Sequence, residues 1–260
     1  MDRISRIVKT GLAFALFGVG GLVIGILVFP LLLLFAPRRD LSRHSRAVIA
    51  WCFRTFMWLV QALNVITFEH KNLSRVTPGT ILIANHPSLI DIVLIAGWLP
   101  NANCVVKPGL FKNPFLAGPV YAAGYINSQA PDLADQISQA LLFGETVIVF
   151  PEGTRTVPGQ SMKFKRGAAH LALQTDARLQ PVSITVSPTT LTKAESWWQV
   201  PASRAHFVVT VHEPWPLDRY TDSGLPSQQA RHLSKDLQRF LASKVETEVD
   251  LTFEDQSAGR

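Results

Sequence analysis

The stretch Thr80-Ile81-Leu82-Ile83-Ala84-Asn85-His86-Pro87-Ser88-Leu89-Ile90-Asp91 decides the fold. Its first five residues form a short apolar run rich in β-branched side chains, the mark of a buried strand. Pro87 disfavours a helical backbone at His86, and Ser88 is a good N-cap, so a helix over residues 88–99 is expected to begin just past the histidine. A strand feeding a helix through a tight polar turn is the unit of an α/β sheet. The pattern recurs downstream. Strands are expected at residues 103–106, 146–150, 182–186 and 206–211, and helices at 132–143, 166–175 and about 228–245. In such a fold the chemistry gathers on loops at strand ends. No internal repeat interrupts the alternation. The segment 188–203 reads as a surface insertion, whose Trp197 and Trp198 are expected to pack into the core, with membrane contact as the alternative.

Within the first turn, Ser88-x-x-Asp91 fits a capping-box variant that needs no chemistry. That reading leaves Asn85 and His86 without a reason. A histidine oriented by a carboxylate is two thirds of a catalytic triad, and no Gly-x-Ser-x-Gly nucleophile occurs in the chain, so the nucleophile would come from the substrate. A second cluster, Phe150-Pro151-Glu152-Gly153-Thr154-Arg155-Thr156, ends another expected strand. Its glutamate offers an acceptor for hydroxyls, its glycine room for close backbone approach, and its arginine a cation for an oxyanion or phosphate. Alone, a surface turn with a solvated ion pair explains it as well. Lys163, Lys165 and Arg166 then precede Gly167 at a helix start, an arrangement suited to an anion or simply to a solvated face. His206, His212 and Glu213 match no metal-site spacing, and neither a Walker A loop nor a dinucleotide fingerprint is present, so no metal and no cofactor are expected.

Composition sets the frame around these motifs. The 260 residues are 47% hydrophobic and 17% charged, too apolar for a disordered chain and too polar for a polytopic transporter. The 25 Lys+Arg outnumber the 19 Asp+Glu by six, and much of this positive charge lies beside an apolar run, so anionic lipid headgroups are the expected partner and nucleic acid is not. Cys52 and Cys104 cannot build a disulfide framework, which points to a reducing compartment. Residues 10–36 carry no charge and would make a helix about 40 Å long, enough to enter or cross a bilayer. No small-x-small cleavage site follows, so the segment is read as retained. Arg3, Arg6 and Lys9 flank it on one side and Arg38, Arg39, Arg43 and Arg46 on the other, which suits a hairpin broken at Pro30. The apolar stretch 47–66, interrupted by Arg54, would then return or lie in the interface. The chain divides on this reading into a membrane-anchoring helical segment, 1–66, and an α/β domain, 67–260.

Asn-His-x-x-x-x-Asp after a strand, with Phe-Pro-Glu-Gly-Thr-Arg about 60 residues later, resembles the glycerolipid acyltransferase family, whose bacterial type member is the lysophosphatidate acyltransferase. The likeness runs from about Ile81 to Val186 and takes in Phe164-Lys165-Arg166-Gly167 and Pro181-Val182. It implies a mixed sheet flanked by helices, preceded by an N-terminal hydrophobic helical membrane element. It also implies transfer of an acyl group from a thioester, on coenzyme A or acyl carrier protein, to a hydroxyl of a lysophospholipid or related lipid acceptor. His86 would be the general base and Asp91 its orienting partner. Glu152, Gly153 and Arg155 would bind the acceptor, with Asn85, Ser88, Lys107 and Thr154 completing the substrate-binding set. The expected place is the cell inner membrane, with the catalytic domain facing the cytoplasm. A phospholipid-dependent transacylase or esterase and a catalytically silent lipid-binding homologue are the alternatives. The chain departs from the family at one point: the second motif, approximately Gly-x-Ile-x-Ile-x-Arg, is matched by Gly124-Tyr125-Ile126-Asn127-Ser128-Gln129-Ala130. Alanine stands where an arginine helps hold the acceptor phosphate, so an acceptor other than lysophosphatidate is expected to be preferred.

Overall fold

The structure, a computed structural model, describes residues 3–35, 37, 40–175, 177–221 and 224–258. Its strands are β1 (Ile66–Lys71), β2 (Thr80–Ala84), β3 (Ala102–Val106), β4 (Ile126–Asn127), β5 (Thr146–Val149), β6 (Arg178–Ser187) and β7 (Ala205–Val211). They form one sheet in the order β1-β7-β6-β2-β5-β3-β4, with every neighbouring pair parallel except β6 and β7. Central β2 is buried throughout: Leu82 and Ala84 enter one apolar layer, Ile81 and Ile83 the other. Cover on both faces is why its sequence is a continuous apolar run and not an alternating one.

The helices are α1 (Arg3–Val23), α2 (Phe29–Phe35), α3 (Leu41–Ala62), α4 (Asp91–Ala96), α5 (Ala117–Ala122), α6 (Leu133–Leu142), α7 (Gly167–Thr175), α8 (Asp218–Thr221) and α9 (Pro226–Ala258). Met57 and Val60 of α3 and Val93 to Ala96 of α4 cover one face of the sheet. Ile137 of α6, Ala168 to Ala172 of α7 and Leu233, Leu237 and Leu241 of α9 cover the other. The mixed sheet flanked by helices is the expected architecture. Two strands were not foreseen, β1 and β4, and they are the two edges. A half-covered strand such as Ile-Thr-Phe-Glu-His-Lys lacks the apolar run that betrays a central one.

Pro30 does not break the N-terminal helix. A π-helical turn, Ile24–Val28, joins α1 to α2, and the Phe29 N–H bonds the carbonyl of Ile24, so the ladder is already shifted where the proline lacks its donor. Among the described residues, Arg3–Leu32 is the one helix long and apolar enough to cross a membrane, with mean hydropathy 2.6. It does not stand off the domain. Phe17 stacks on Phe53 and meets Phe56 edge-on with centroids 4.9 Å apart, while Thr10, Ala13 and Phe29 are buried. Ile4, Val8, Leu12, Leu16, Val19, Val23 and Ile26, spaced by three or four residues, form an exposed apolar stripe along the opposite side.

Two arginines expected to flank or interrupt apolar segments are instead internal clamps. Arg46 is buried; it donates to the carbonyl of Ala123 at 2.9 Å, to Asn101 Oδ1 and to Glu145. Arg54 donates to the carbonyl of Gly97 at the end of α4. Arg38 and Arg39, also in the expected flank, lie outside the described residues. Trp197 and Trp198 are not in the core. They are 43% and 53% exposed, because the 188–203 loop, between β6 and β7, lays Trp197 against Gly11 and Phe14 of α1.

Candidate active site

The site lies where β2, β5 and β3 end. β2 pairs with β6 as far as Ala84 and Val182, and the Asn85 amide then extends the ladder by one rung: Nδ2 donates to the carbonyl of Ile184 at 2.8 Å and the Ile184 N–H donates to Oδ1 at 2.7 Å. Ser88 is equally inward, its hydroxyl donating to the carbonyl of Thr190 at 3.0 Å. Both residues are buried, 2% and 0% exposed, and these bonds hold the turn. With its hydroxyl committed elsewhere, Ser88 does not cap a helix, and α4 starts three residues late, at Asp91. Asn85→Ala would strand the N–H and carbonyl of Ile184, and is expected to destabilise the fold by about 2–4 kcal/mol. Thermal melting in detergent checks this; a loss below about 1 kcal/mol would mean that water replaces the amide.

The expected pair is in contact. His86 Nδ1 lies 2.8 Å from Asp91 Oδ2, which also accepts the Ser88 N–H at 2.7 Å. Asp91 is fully buried, and burial pushes its carboxyl above the usual range, while the bond to His86 is the first influence drawing it back. Its Oδ1 has no hydrogen-bond partner among the described residues. A carboxylate can only accept, so the proton of a neutral His86 sits on Nδ1 and leaves Nε2 with its lone pair. The imidazole stacks on Phe150 at 4.3 Å between centroids.

Glu152 joins the two clusters. Its Oε1 accepts the His86 N–H at 2.9 Å, and the Thr156 hydroxyl donates to the same carboxylate at 2.9 and 3.0 Å. The Thr156 N–H in turn reaches the His86 carbonyl at 2.7 Å. Burial raises the Glu152 carboxyl, and these bonds to the His86 N–H and Thr156 oppose the rise. Gly153 has φ +65°, a conformation that favours glycine, and a Cβ there would come within 2.9 Å of Lys165 Nζ, which could swing aside. Arg155 Nη1 donates to the carbonyls of Leu191 and Thr192 at 2.9 and 3.0 Å, and Leu191 also accepts the Leu89 N–H. Thr154 is half-buried beside them. Lys107 is exposed at the end of β3, the strand next to β5.

Thus His86, Asp91, Glu152, Gly153 and Arg155 converge, and Lys107 stands along the same edge. Thr156 and the carbonyls of residues 190–192 escaped the sequence reading. Thr156 was legible as a hydroxyl four residues after a glutamate, but contacts made by loop carbonyls carry no side-chain signature. Leu191 adopts φ +54°, a strained conformation for a leucine, right where the loop meets the His86 turn. His206 and His212 are engaged elsewhere, with Thr67 and Ser183, each at 2.8 Å.

An acyltransferase family model matches residues 49–185. The 1-acyl-sn-glycerol-3-phosphate acyltransferase of Cocos nucifera is 31% identical over 144 residues, 51% of this chain and 44% of the coconut protein. That of Pseudomonas aeruginosa is 27% identical over 188 residues, 68% of this chain and 70% of its own. The crystal structure of the 1-acyl-sn-glycerophosphate acyltransferase from Thermotoga maritima superposes with a TM-score of 0.73 at 21% identity, covering 95% of this chain and 98% of that one, a likeness of fold.

Proposed function

This chain belongs to the acyltransferase family, and from that premise we propose that it moves an acyl group from a thioester, on coenzyme A or acyl carrier protein, to a hydroxyl of a lysophospholipid or related lipid acceptor. The observation that carries the reading is the 2.8 Å contact between His86 and a fully buried Asp91. The acceptor hydroxyl gives its proton to Nε2 as its oxygen attacks the thioester carbonyl. Asp91 holds the ring and balances the imidazolium. Collapse of the tetrahedral intermediate breaks the carbon–sulfur bond, and the departing thiolate takes the proton from Nε2. Glu152 and Thr156 position the turn, while Gly153, Thr154, Arg155 and Lys107 form the surface on which the acceptor head rests.

The acceptor and the apolar stripe of α1 suit the same place, a membrane surface, and a thioester donor is soluble, so the site belongs on the cytoplasmic face of the inner membrane. Alkaline carbonate is expected to leave the full chain with the membranes; release of the intact protein would mean adsorption only. The activity is tested by mass spectrometry of lipids formed when membranes carrying the chain receive a labelled acyl thioester. Incorporation that requires the thioester supports the proposal. Fatty acid released from phospholipid without a thioester would point to an esterase or transacylase, and no turnover with any donor to a silent lipid-binding protein.

A further inference from the structure

We infer that Trp197 and Trp198 are a second bilayer contact, seated among lipid headgroups, through which the membrane holds the loop that braces the His86 turn. The inference rests on the membrane reading above. Both tryptophans are about half exposed, and their rings pack edge to face with centroids 5.6 Å apart. They are braced from below: a Cβ on Gly11 would lie 3.0 Å from the Trp197 ring, and Phe14 sits 6.4 Å from it. The loop itself is ordered by Glu195 Oε2, which accepts the Thr192 N–H at 3.0 Å, and by a turn closed from Gln199 N–H to the carbonyl of Ser196.

Their level on the helix identifies the partner. Gly11 and Phe14 lie at the start of the uncharged run, just after Arg3, Arg6 and Lys9, and next to the exposed Val8, Leu12 and Leu16. The indole pair therefore occupies the boundary between a basic zone and an apolar stripe. An indole has an apolar body and one polar N–H, and favours the boundary between hydrocarbon and headgroups. Exposed Arg3, at the same end of the helix, complements anionic lipid. Exposed Lys193, four residues before Trp197, adds a further cation on the same loop.

The other end of the loop touches the chemistry. Thr190 accepts the Ser88 hydroxyl at 3.0 Å, and Leu191 accepts the Leu89 N–H at 3.1 Å and Arg155 Nη1 at 2.9 Å. A bilayer that fixes the indoles thereby fixes the distance between its headgroups and His86.

The test reconstitutes the full chain in vesicles of phosphatidylglycerol and phosphatidylcholine brominated at carbons 6 and 7, and compares tryptophan quenching with and without Trp197→Phe/Trp198→Phe, both in a Trp51→Phe/Trp58→Phe background. The pair is expected to account for most of the quenching, with vesicle co-flotation retained. Unchanged quenching in chains that still float would overturn the inference and leave the membrane reading standing. Chains that do not float at all would remove both. As a second readout, Trp197→Ala/Trp198→Ala is expected to raise KM severalfold for acceptor presented in vesicles while leaving turnover of a short-chain, monomeric acceptor unchanged. Equal losses on both acceptors would show a structural role and overturn the coupling.

Discussion

His86→Ala is expected to lower acyl-thioester consumption by about 10²- to 10⁴-fold, the range that a positioned general base contributes. The substitution also removes the first influence that draws the Asp91 carboxyl down against the effect of burial. That carboxyl then rises further in the folded chain, so the folded state binds more protons than the unfolded one. Stability falls with rising pH wherever that is so. His86→Ala is thus expected to melt at lower temperature as pH increases from the unfolded carboxylate value through the raised folded one, more steeply than the parent. His86→Asn separates the two effects, because its amide can donate to Asp91 but cannot serve as a base. Low activity with a parent-like pH–stability profile is the expected result for it. Full activity in a well-folded His86→Ala chain would sink the mechanism.

The parts of this site that were legible in the sequence are those where one side chain does one job. His86 and Asp91 stand five positions apart across a strand-to-helix turn, and such a turn folds the pair back to within reach, where an extended chain would hold them about 17 Å apart. Likewise Thr80–Ala84, short, uniformly apolar beyond its threonine and bounded by Gly79 and Pro87, reads as a strand covered on both sides. What stayed hidden depends on partners far along the chain. Asn85 stands beside the histidine with no partner legible nearby, and its amide bonds Ile184, 99 residues away. Arg46 looked like a membrane flank because it follows an apolar run, yet Glu145 and Ala123 enclose it. Trp197 and Trp198 are large and apolar, and burial is the ordinary fate of such residues; only the placement of their loop over α1 reverses it. Sequence patterning reports periodicity within a segment and is silent about which distant carbonyl or carboxylate a polar group will meet.

Lysophosphatidate is expected to lose a direct competition among acceptors, even though the relatives described above carry 1-acylglycerol 3-phosphate in their names. Ser128 donates its N–H to the carbonyl of Val106 at 2.8 Å, and Ala130 donates to the carbonyl of Asn127 at 3.0 Å, so Ala130 and Lys107 both follow the paired ends of β4 and β3. An arginine at this position would bring a planar, bidentate donor to that edge. A charge-assisted phosphate contact is worth about 1.5–3 kcal/mol, so its absence weakens a phosphate monoester by roughly tenfold to more than a hundredfold. Lys107 and Lys165, whose ammonium sits beside Gly153, remain as point charges without the fork geometry. Ala130→Arg is accordingly expected to raise kcat/KM for lysophosphatidate by about tenfold or more, with little effect on an acceptor lacking a phosphate monoester. If the parent chain instead prefers lysophosphatidate by an order of magnitude, and restores growth to cells without their own lysophosphatidate acyltransferase, the two lysines already supply what the arginine does elsewhere. Lys107→Ala and Lys165→Ala would then each lower kcat/KM for that acceptor selectively, and Ala130→Arg would add nothing.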